Sequence, residues 1–187
     1  MRKILLAVTL NTSLHVLAGE EAWVTDARKV AGTLPPRLLQ VLTDEEIAKG
    51  GPEAAIAVCR EKAPHIAGEV STQSGWAIRR VSLRNRNPKA VPDSWERTAL
   101  EDFDRRTAAG ESPATLEKAE MVTKADGKEY RYLRALPVQQ ICLPCHGAAD
   151  KLSPAVMAQL HKLYPEDKGA GYAIGQIRGA ITIRKAP

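Results

Sequence analysis

The segment Cys142-Leu143-Pro144-Cys145-His146 contains the residues whose types and spacing are best suited to chemistry. In a CxxCH sequence, the two thiols can form thioethers with the vinyl groups on one edge of a porphyrin. The histidine that follows can then donate a ring nitrogen to the iron. The sequence therefore predicts one covalent haem c, attached through Cys142 and Cys145 and ligated by His146.

Three other interpretations of this segment are a thioredoxin-like redox pair, half of a zinc site and a chance spacing. A zinc ribbon requires a second CxxC pair, which the chain lacks. A thioredoxin motif opens a helix after a strand in a βαβ unit and does not require the histidine. Zinc bound by Cys59, Cys142, Cys145 and His146 is formally open, but the adjacent last two residues make a tetrahedral site awkward. Haem c is favoured over all of these.

Cys59 is the one thiol left over when two cysteines are used for haem attachment. It lies on the apolar face of an expected helix, so it could be a buried and inert core residue. The sharper hypothesis is that its thiolate is the sixth iron ligand, which favours ferric iron and lowers the reduction potential. The spacing leaves both interpretations open. Four other residues have a weaker context for ligation: His65, His161, Met121 and Met157.

The N-terminal segment 1–18 resembles a secretory signal peptide. Arg2 and Lys3 form a positive start, an apolar run follows, and a small residue stands at Ala18. The run is too short and too interrupted for a membrane-spanning helix, which needs about 20 apolar residues. A cytoplasmic protein with an amphipathic N-terminal helix is the alternative. Because haem attachment to CxxCH and export support each other, we expect a periplasmic protein that leaves the membrane after cleavage.

The charge excludes one large class of partner. The formal net charge of +5 falls by two when Arg2 and Lys3 are removed, and no long basic run is present. Nucleic acid is therefore not an expected partner. Hydrophobic residues make up 44% of the chain, but only one Phe, four Tyr and three Trp contribute rings. A haem would add a large apolar plate to such a core.

The pattern of elements predicts helices first and strands later. Helices are expected over about 20–33, 35–49, 52–70, 93–110 and 153–163. Strands are expected over about 76–83, 114–123, 128–138 and 177–183. Two breaks separate the first three helices, one at Gly32 to Pro36 and one at Gly50-Gly51-Pro52. Asp93 and Glu96 predict a capping box, and Asp126-Gly127 predicts a hairpin.

Several longer segments resemble a family of c-type haem proteins with a PAS-like fold. They are Gly50–Cys59, Ala63–Ala67, Ile78–Pro88, Pro92–Glu96, Tyr132–Val138, Cys142–Gly147 and Gly175–Ala180. The resemblance spans about residues 35–184 in the family's order, departing at Gln176, where an acidic residue is expected. The family, long labelled a domain of unknown function, also occurs as a sensor module in front of histidine kinases.

This resemblance implies an α+β fold, a PAS-like antiparallel sheet flanked by helices with an N-terminal helical segment. It divides the chain into a signal peptide (1–18), an N-terminal helical segment (19–34) and a PAS-like haem c-binding domain (35–187). It also implies His/Cys axial ligation, which falls on His146 and Cys59.

The arginines Arg80, Arg84 and Arg86 are candidates to bind the haem propionates, because a guanidinium can pair with a carboxylate through two hydrogen bonds. In a strand, Arg80 and Arg84 share one face, while Arg79 lies on the other. A solvated strand edge is the alternative for each of them. We expect at least one of the three to contact the haem.

Three functions follow from a low-potential haem c. The first is a redox or small-ligand sensor that responds to oxidation, to a gas or to loss of Cys59, and that signals to a separate protein partner. The second is a periplasmic electron-transfer cytochrome. The third, a haem enzyme, ranks last because no acid–base constellation accompanies the expected ligands. The sequence favours the sensor slightly over the carrier.

Overall fold

The computed structural model describes residues 13–43 and 48–187 of the chain. The helices are α1 (Ser13–Gln40), α2 (Ala48–Ser74), α3 (Ser94–Ala108), α4 (Leu143–His146) and α5 (Pro154–Leu163). The strands are β1 (Ala77–Val81), β2 (Glu117–Lys124), β3 (Gly127–Pro137) and β4 (Ile177–Lys185). Residues 1–12 of the expected signal peptide lie outside the described residues. Within the described ranges, no helix has both the length and the apolar character needed to cross a membrane.

The four strands form one antiparallel sheet in the order β1-β4-β3-β2. β2 and β3 form the hairpin expected at Asp126-Gly127, with Lys124 opposite Gly127 in the register. β4 lies between β1 and β3, so that Ile181 is opposite Arg80 on one side and Arg134 on the other. The last strand of the chain is therefore central in the sheet.

Helices cover both faces of the sheet, since alternate strand residues point to opposite sides. The α1/α2 face buries residues of both helices and of three strands: Ala27, Val30, Ala31, Leu34, Val70, Ile78, Tyr132, Ile181 and Ile183. The α3 face buries Val81, Ala99, Leu100, Phe103, Leu116, Leu133, Ala135, Ile177 and Ala180. The expected α+β class, an antiparallel sheet flanked by helices with an N-terminal helix, is confirmed.

The prediction of a helix break between Gly32 and Pro36 is wrong. α1 continues through Pro35 and Pro36 to Gln40, across the boundary placed between residues 34 and 35. Each proline removes one hydrogen bond from the helix. The buried face of α1 packs on the sheet around both prolines. We attribute the continuity to this tertiary packing, which outweighs the local breaking signal.

The break expected at Gly50-Gly51-Pro52 is confirmed as a sharp kink inside α2. At this kink Gly51 has a φ of 76 and a ψ of -176 degrees. Glycine adopts such a conformation without steric cost. Pro52 follows at the start of the regular helix, where its missing N–H is harmless. The kink sets the direction of the long helical segment that carries Cys59.

The N-terminus of α3 has the expected capping box and forms a partly buried ion cluster. The Asp93 side chain accepts from the Glu96 N–H at 2.9 Å, and Glu96 accepts from the Asp93 N–H at 2.8 Å. Arg131 of β3 donates to Asp93 at 2.6 Å and to Glu96 at 3.2 Å. Arg79 of β1 adds a contact to Glu96 at 2.5 Å. The cluster ties α3 to two strands, and the arginine neighbours help to lower the pKa of Asp93 against the opposing effect of burial.

Replacing Arg131 by methionine is expected to destabilise the fold by about 3 kcal/mol, because it leaves the Glu96 carboxylate buried with one charged partner fewer. Urea unfolding followed by circular dichroism measures the loss. The control is Arg97→Met, at an exposed position of α3, the helix that carries Glu96. A surface substitution of this kind should change stability by at most about 0.5 kcal/mol. Equal effects of the two variants would contradict a role for the cluster.

Candidate functional site

The CxxCH segment lies in the long connection between β3 and β4. A 3₁₀ turn over Gln140–Cys142 leads into α4, so Cys142, Cys145 and His146 lie on successive short helical turns. The Gly147 N–H donates to the Leu143 carbonyl at 2.8 Å and ends α4. A Cβ on Gly147 would lie 2.7 Å from that carbonyl oxygen, so only glycine fits after the motif without a shift of the backbone. The local backbone thus brings the two thiols and the imidazole into one short segment.

The imidazole of His146 is held in a defined orientation. Its Nδ1 lies 2.7 Å from the Gly169 carbonyl oxygen. A carbonyl oxygen can only accept, so Nδ1 carries the proton and donates it. Burial, followed by the positive charges of Arg178 and Arg86, lowers the pKa of His146 well below its usual value. The ring is therefore neutral and its Nε2 keeps a lone pair. A neutral imidazole with Nδ1 bound to a backbone carbonyl has the properties of a metal-ligating histidine.

Backbone hydrogen bonds fix the position of this histidine. The His146 carbonyl accepts from the Tyr172 N–H at 2.9 Å, and the Gly147 carbonyl accepts from the Gly171 N–H at 2.6 Å. These bonds join the motif to the segment that precedes β4. The same segment provides Gly169, so one short stretch of backbone holds both the main chain and the ring of His146.

Arg178 is a residue of this site to which the sequence reasoning gave no role. Its Nε lies 3.1 Å from His146 Nδ1, and its Nη1 donates to Ser82 Oγ at 2.9 Å and to the Arg84 carbonyl at 3.1 Å. Nδ1 cannot accept from Arg178 Nε–H and donate to the Gly169 carbonyl at once. The shorter contact, to Gly169, assigns the proton to Nδ1, so Arg178 acts on the ring through its charge. Burial lowers the pKa of Arg178 to about 10. Only its place in the Gly175–Ala180 family motif could have pointed to it.

Cys145 connects the motif to α2. Its half-buried Sγ lies 3.6 Å from the Pro52 carbonyl, at the start of the regular part of that helix. Burial raises the pKa of Cys145 to about 11, Arg86 lowers it, and the nearby Cys59 and Cys142 raise it further. Cys59, two helical turns after Pro52, is thus an electrostatic neighbour of the Cys145 thiol. Cys142, Cys145 and His146 lie in one segment, and ligation by Cys59 stays a prediction.

An apolar cluster packs against Cys145. It is formed by α2, α5 and the flanking loops, and its buried members are Ile56, Leu152, Val156, Leu160 and Tyr164. Cys145 and Met157 pack against it, which fits the expectation that Met157 is a core residue. The cluster offers the hydrophobic surface that a porphyrin plate requires, and the two thiols, the free Nε2 and this surface together fit a haem c.

Other expected candidates lie in different surroundings. His65 is exposed and within 3.2 Å of Glu69 on the surface of α2. Among the described residues, no group of three or more His, Cys, Asp or Glu side chains could hold a metal ion. The four-residue zinc site is therefore not formed.

The three candidate propionate partners differ in their contacts. Arg86 is buried, pairs with both oxygens of Asp167 at 3.0 Å, and donates to the Cys145 carbonyl at 2.7 Å. Arg84 donates to the Ala170 carbonyl and lies 4.3 Å above the Tyr172 ring. Within the described ranges the exposed Arg80 side chain has no hydrogen bond or ion pair, yet its charge reaches His146 and Tyr164. Propionate binding stays a prediction for all three, and Arg80 has the most freely available guanidinium.

Replacing Arg86 by methionine is expected to destabilise the protein by about 3 kcal/mol, because a mostly buried carboxylate would lose its cation. That carboxylate belongs to Asp167. The substitution would also release the Cys145 carbonyl, so amide exchange in residues 142–147 should become faster. Hydrogen exchange with mass spectrometry measures the local effect, and thermal unfolding measures the global one. Arg105→Met, at an exposed position, serves as the control. Protection of residues 142–147 equal to that of the control would contradict this role.

The expected resemblance to a haem-protein family is confirmed by a family profile, whereas the PAS-like description of the fold and the His/Cys ligation stay predictions. The sequence profile of the Tll0287-like family matches residues 9–186, so the chain belongs to this family. The fold is similar to that in the crystal structure of the cyanobacterial haem protein Tll0287, with a TM-score of 0.65 and 22% sequence identity. That match covers 89% of this chain and 95% of the other. No curated protein matches the chain.

Proposed function

We propose that the chain carries one haem c, bound covalently through Cys142 and Cys145 and ligated by His146 Nε2 and the Cys59 thiolate. The observation that carries this proposal is the imidazole of His146, fixed by the Gly169 carbonyl with Nε2 free. The thiols of the CxxCH motif beside it supply the attachment points. The name of the structural neighbour, a haem protein with the same fold, supports the cofactor class.

Cys59 is the preferred sixth ligand because of where α2 lies. The helix contacts the motif through Pro52 and Cys145, and Cys59 lies close enough to raise the pKa of both Cys145 and Tyr164. The bound haem supplies an iron that cycles between the ferric and ferrous states. A thiolate ligand favours the ferric state and gives a low potential.

The role we propose is a periplasmic redox or small-ligand sensor that acts on a separate protein. The two proposed iron ligands, Cys59 and His146, would come from two different elements, α2 and the connection before β4. Loss of the Cys59 bond, on reduction or on gas binding, would therefore remove one of the links between α2 and the motif. α2 packs on both α1 and the sheet, which gives a local change at the iron a route to the surface of the molecule.

A periplasmic electron carrier is the second candidate, and a haem enzyme ranks below both. A carrier requires little structural change between oxidation states, whereas a sensor requires a change that a partner can detect. Hydrogen exchange of the ferric protein, the ferrous protein and the ferrous protein with carbon monoxide separates them. Faster exchange in α2 after reduction or carbon monoxide binding supports the sensor, and identical protection in all three states supports the carrier.

A further inference from the structure

We propose that Arg178 is a positioning residue whose fixed positive charge behind His146 raises the reduction potential of the haem. This inference rests on the proposed function. It assigns a role to a residue that is not an iron ligand and that lies outside the CxxCH motif.

The contacts of Arg178 place against the imidazole a cation that has no ion-pair partner among the described residues, although the charge of Asp167 acts on it at longer range. Its Nε is 3.1 Å from His146 Nδ1, and its Nη1 donates to two neutral oxygens, Ser82 Oγ and the Arg84 carbonyl. The guanidinium also lies 5.4 Å from the centre of the Tyr172 ring. Among the described residues, no carboxylate pairs with Arg178. The nearby Asp167 is paired with Arg86 instead.

The guanidinium of Arg178 can take this position only because residue 169 is a glycine. A Cβ on Gly169 would lie 2.6 Å from Arg178 Nη2, so the residue whose carbonyl binds His146 must be glycine if Arg178 keeps its place. Ser82 fixes the guanidinium from the other side, because its Oγ also donates to the Arg178 carbonyl at 2.8 Å. The charge is therefore held at a defined distance from the ring.

The direction of the effect follows from electrostatics. Reduction adds one electron to the iron, and a buried positive charge nearby stabilises the reduced state because solvent screens it poorly. The bond to the Gly169 carbonyl keeps the proton on His146 Nδ1, so Arg178 does not convert the ring to an imidazolate, which would lower the potential. Arg178 thus partly offsets the lowering by a Cys59 thiolate.

Spectroelectrochemical titration of the haem-loaded proteins tests the inference with Arg178→Gln, Arg178→Lys and the surface control Arg97→Gln. Poised at the wild-type midpoint, Arg178→Gln should show about a tenfold higher ratio of ferric to ferrous protein, equivalent to about 59 mV for one electron. Arg178→Lys, which keeps the charge but moves it, should show a smaller shift in the same direction. Arg97→Gln should shift the ratio less than about threefold, because an exposed charge is screened.

An Arg178→Gln midpoint equal to that of Arg97→Gln, or shifted to more positive values, overturns the inference. If Arg178→Gln does not fold, Arg178→Met, which removes the same charge, decides by the same criterion. The absorption spectrum and the intact mass distinguish failure of the proposed function from failure of the proposed role of Arg178. Haem absent from the wild type would refute the proposed function, whereas normal haem and ligation without a shift would refute only the role of Arg178.

Discussion

The Cys59→Ala variant is expected to keep its covalent haem and to lose the low-spin, thiolate-type electron-spin-resonance signal of the ferric protein. Removing the thiolate leaves His146 as the only protein ligand of the proposed pair, so the iron becomes five-coordinate or binds water. Its midpoint potential should rise by on the order of 0.1 V, a fraction of the roughly 0.8 V range that axial ligands span. Spin resonance and redox titration of the purified protein measure both changes.

Two substitutions control for effects unrelated to ligation. Ala57→Ser changes a partly buried neighbour on the same helix and should leave the spectrum unchanged. Met157→Leu removes a sulfur that packs, like that of Cys145, against the apolar cluster, and it should also leave the spectrum unchanged. A thiolate-type signal that persists in Cys59→Ala would remove Cys59 from the iron. Loss of the signal in Met157→Leu alone would move the sixth ligand to α5.

The Cys142→Ser/Cys145→Ser double variant is expected to lose covalent haem completely, because no thiol remains in the motif to form a thioether. Each single variant should keep at most one thioether and yield less holoprotein. Intact mass under denaturing conditions, for protein exported by a host with haem c maturation, measures the added prosthetic mass. Cys59→Ser is the matched control, since it removes a thiol outside the motif and should retain the full added mass.

The double variant also tests covalent attachment separately from ligation by Cys59. A wild-type mass equal to that of the bare polypeptide would refute covalent attachment, whatever the behaviour of Cys59. Prosthetic mass that persists in the double variant would place the attachment on another residue. Loss of mass in the double variant with full mass in Cys59→Ser assigns attachment to the CxxCH thiols.

The elements that could be predicted from the sequence have local causes. The Asp93/Glu96 capping box and the Ser153-Pro154 helix start depend on hydrogen bonds within one turn, and the structure shows both. The Gly51 kink and the hairpin at Asp126-Gly127 follow in the same way from backbone conformations that suit glycine. The CxxCH chemistry is likewise contained in five consecutive residues.

What could not be predicted depends on distant contacts. α1 continues through Pro35 and Pro36 because its other face packs on the sheet, which local propensity does not reveal. Arg86 and Arg84 were expected to be available for propionates, but their guanidinium groups contact Asp167 and the Ala170 carbonyl. Both partners are far away in the chain, 81 and 86 positions from their arginines. Arg178 reaches His146 only because β4 runs beside β1.

The central place of β4 has a consequence for the order of assembly. β1 and β3 are each hydrogen-bonded to β4, the last strand of the chain, and Ala77 pairs with Arg184 across a long stretch of sequence. Pairings between residues so far apart form slowly, since the intervening chain must first be closed into a loop. In the proposed export, the CxxCH segment emerges ahead of residues 177–185. The attachment machinery would therefore meet these thiols on an open, accessible chain, before the sheet that later encloses His146 can close.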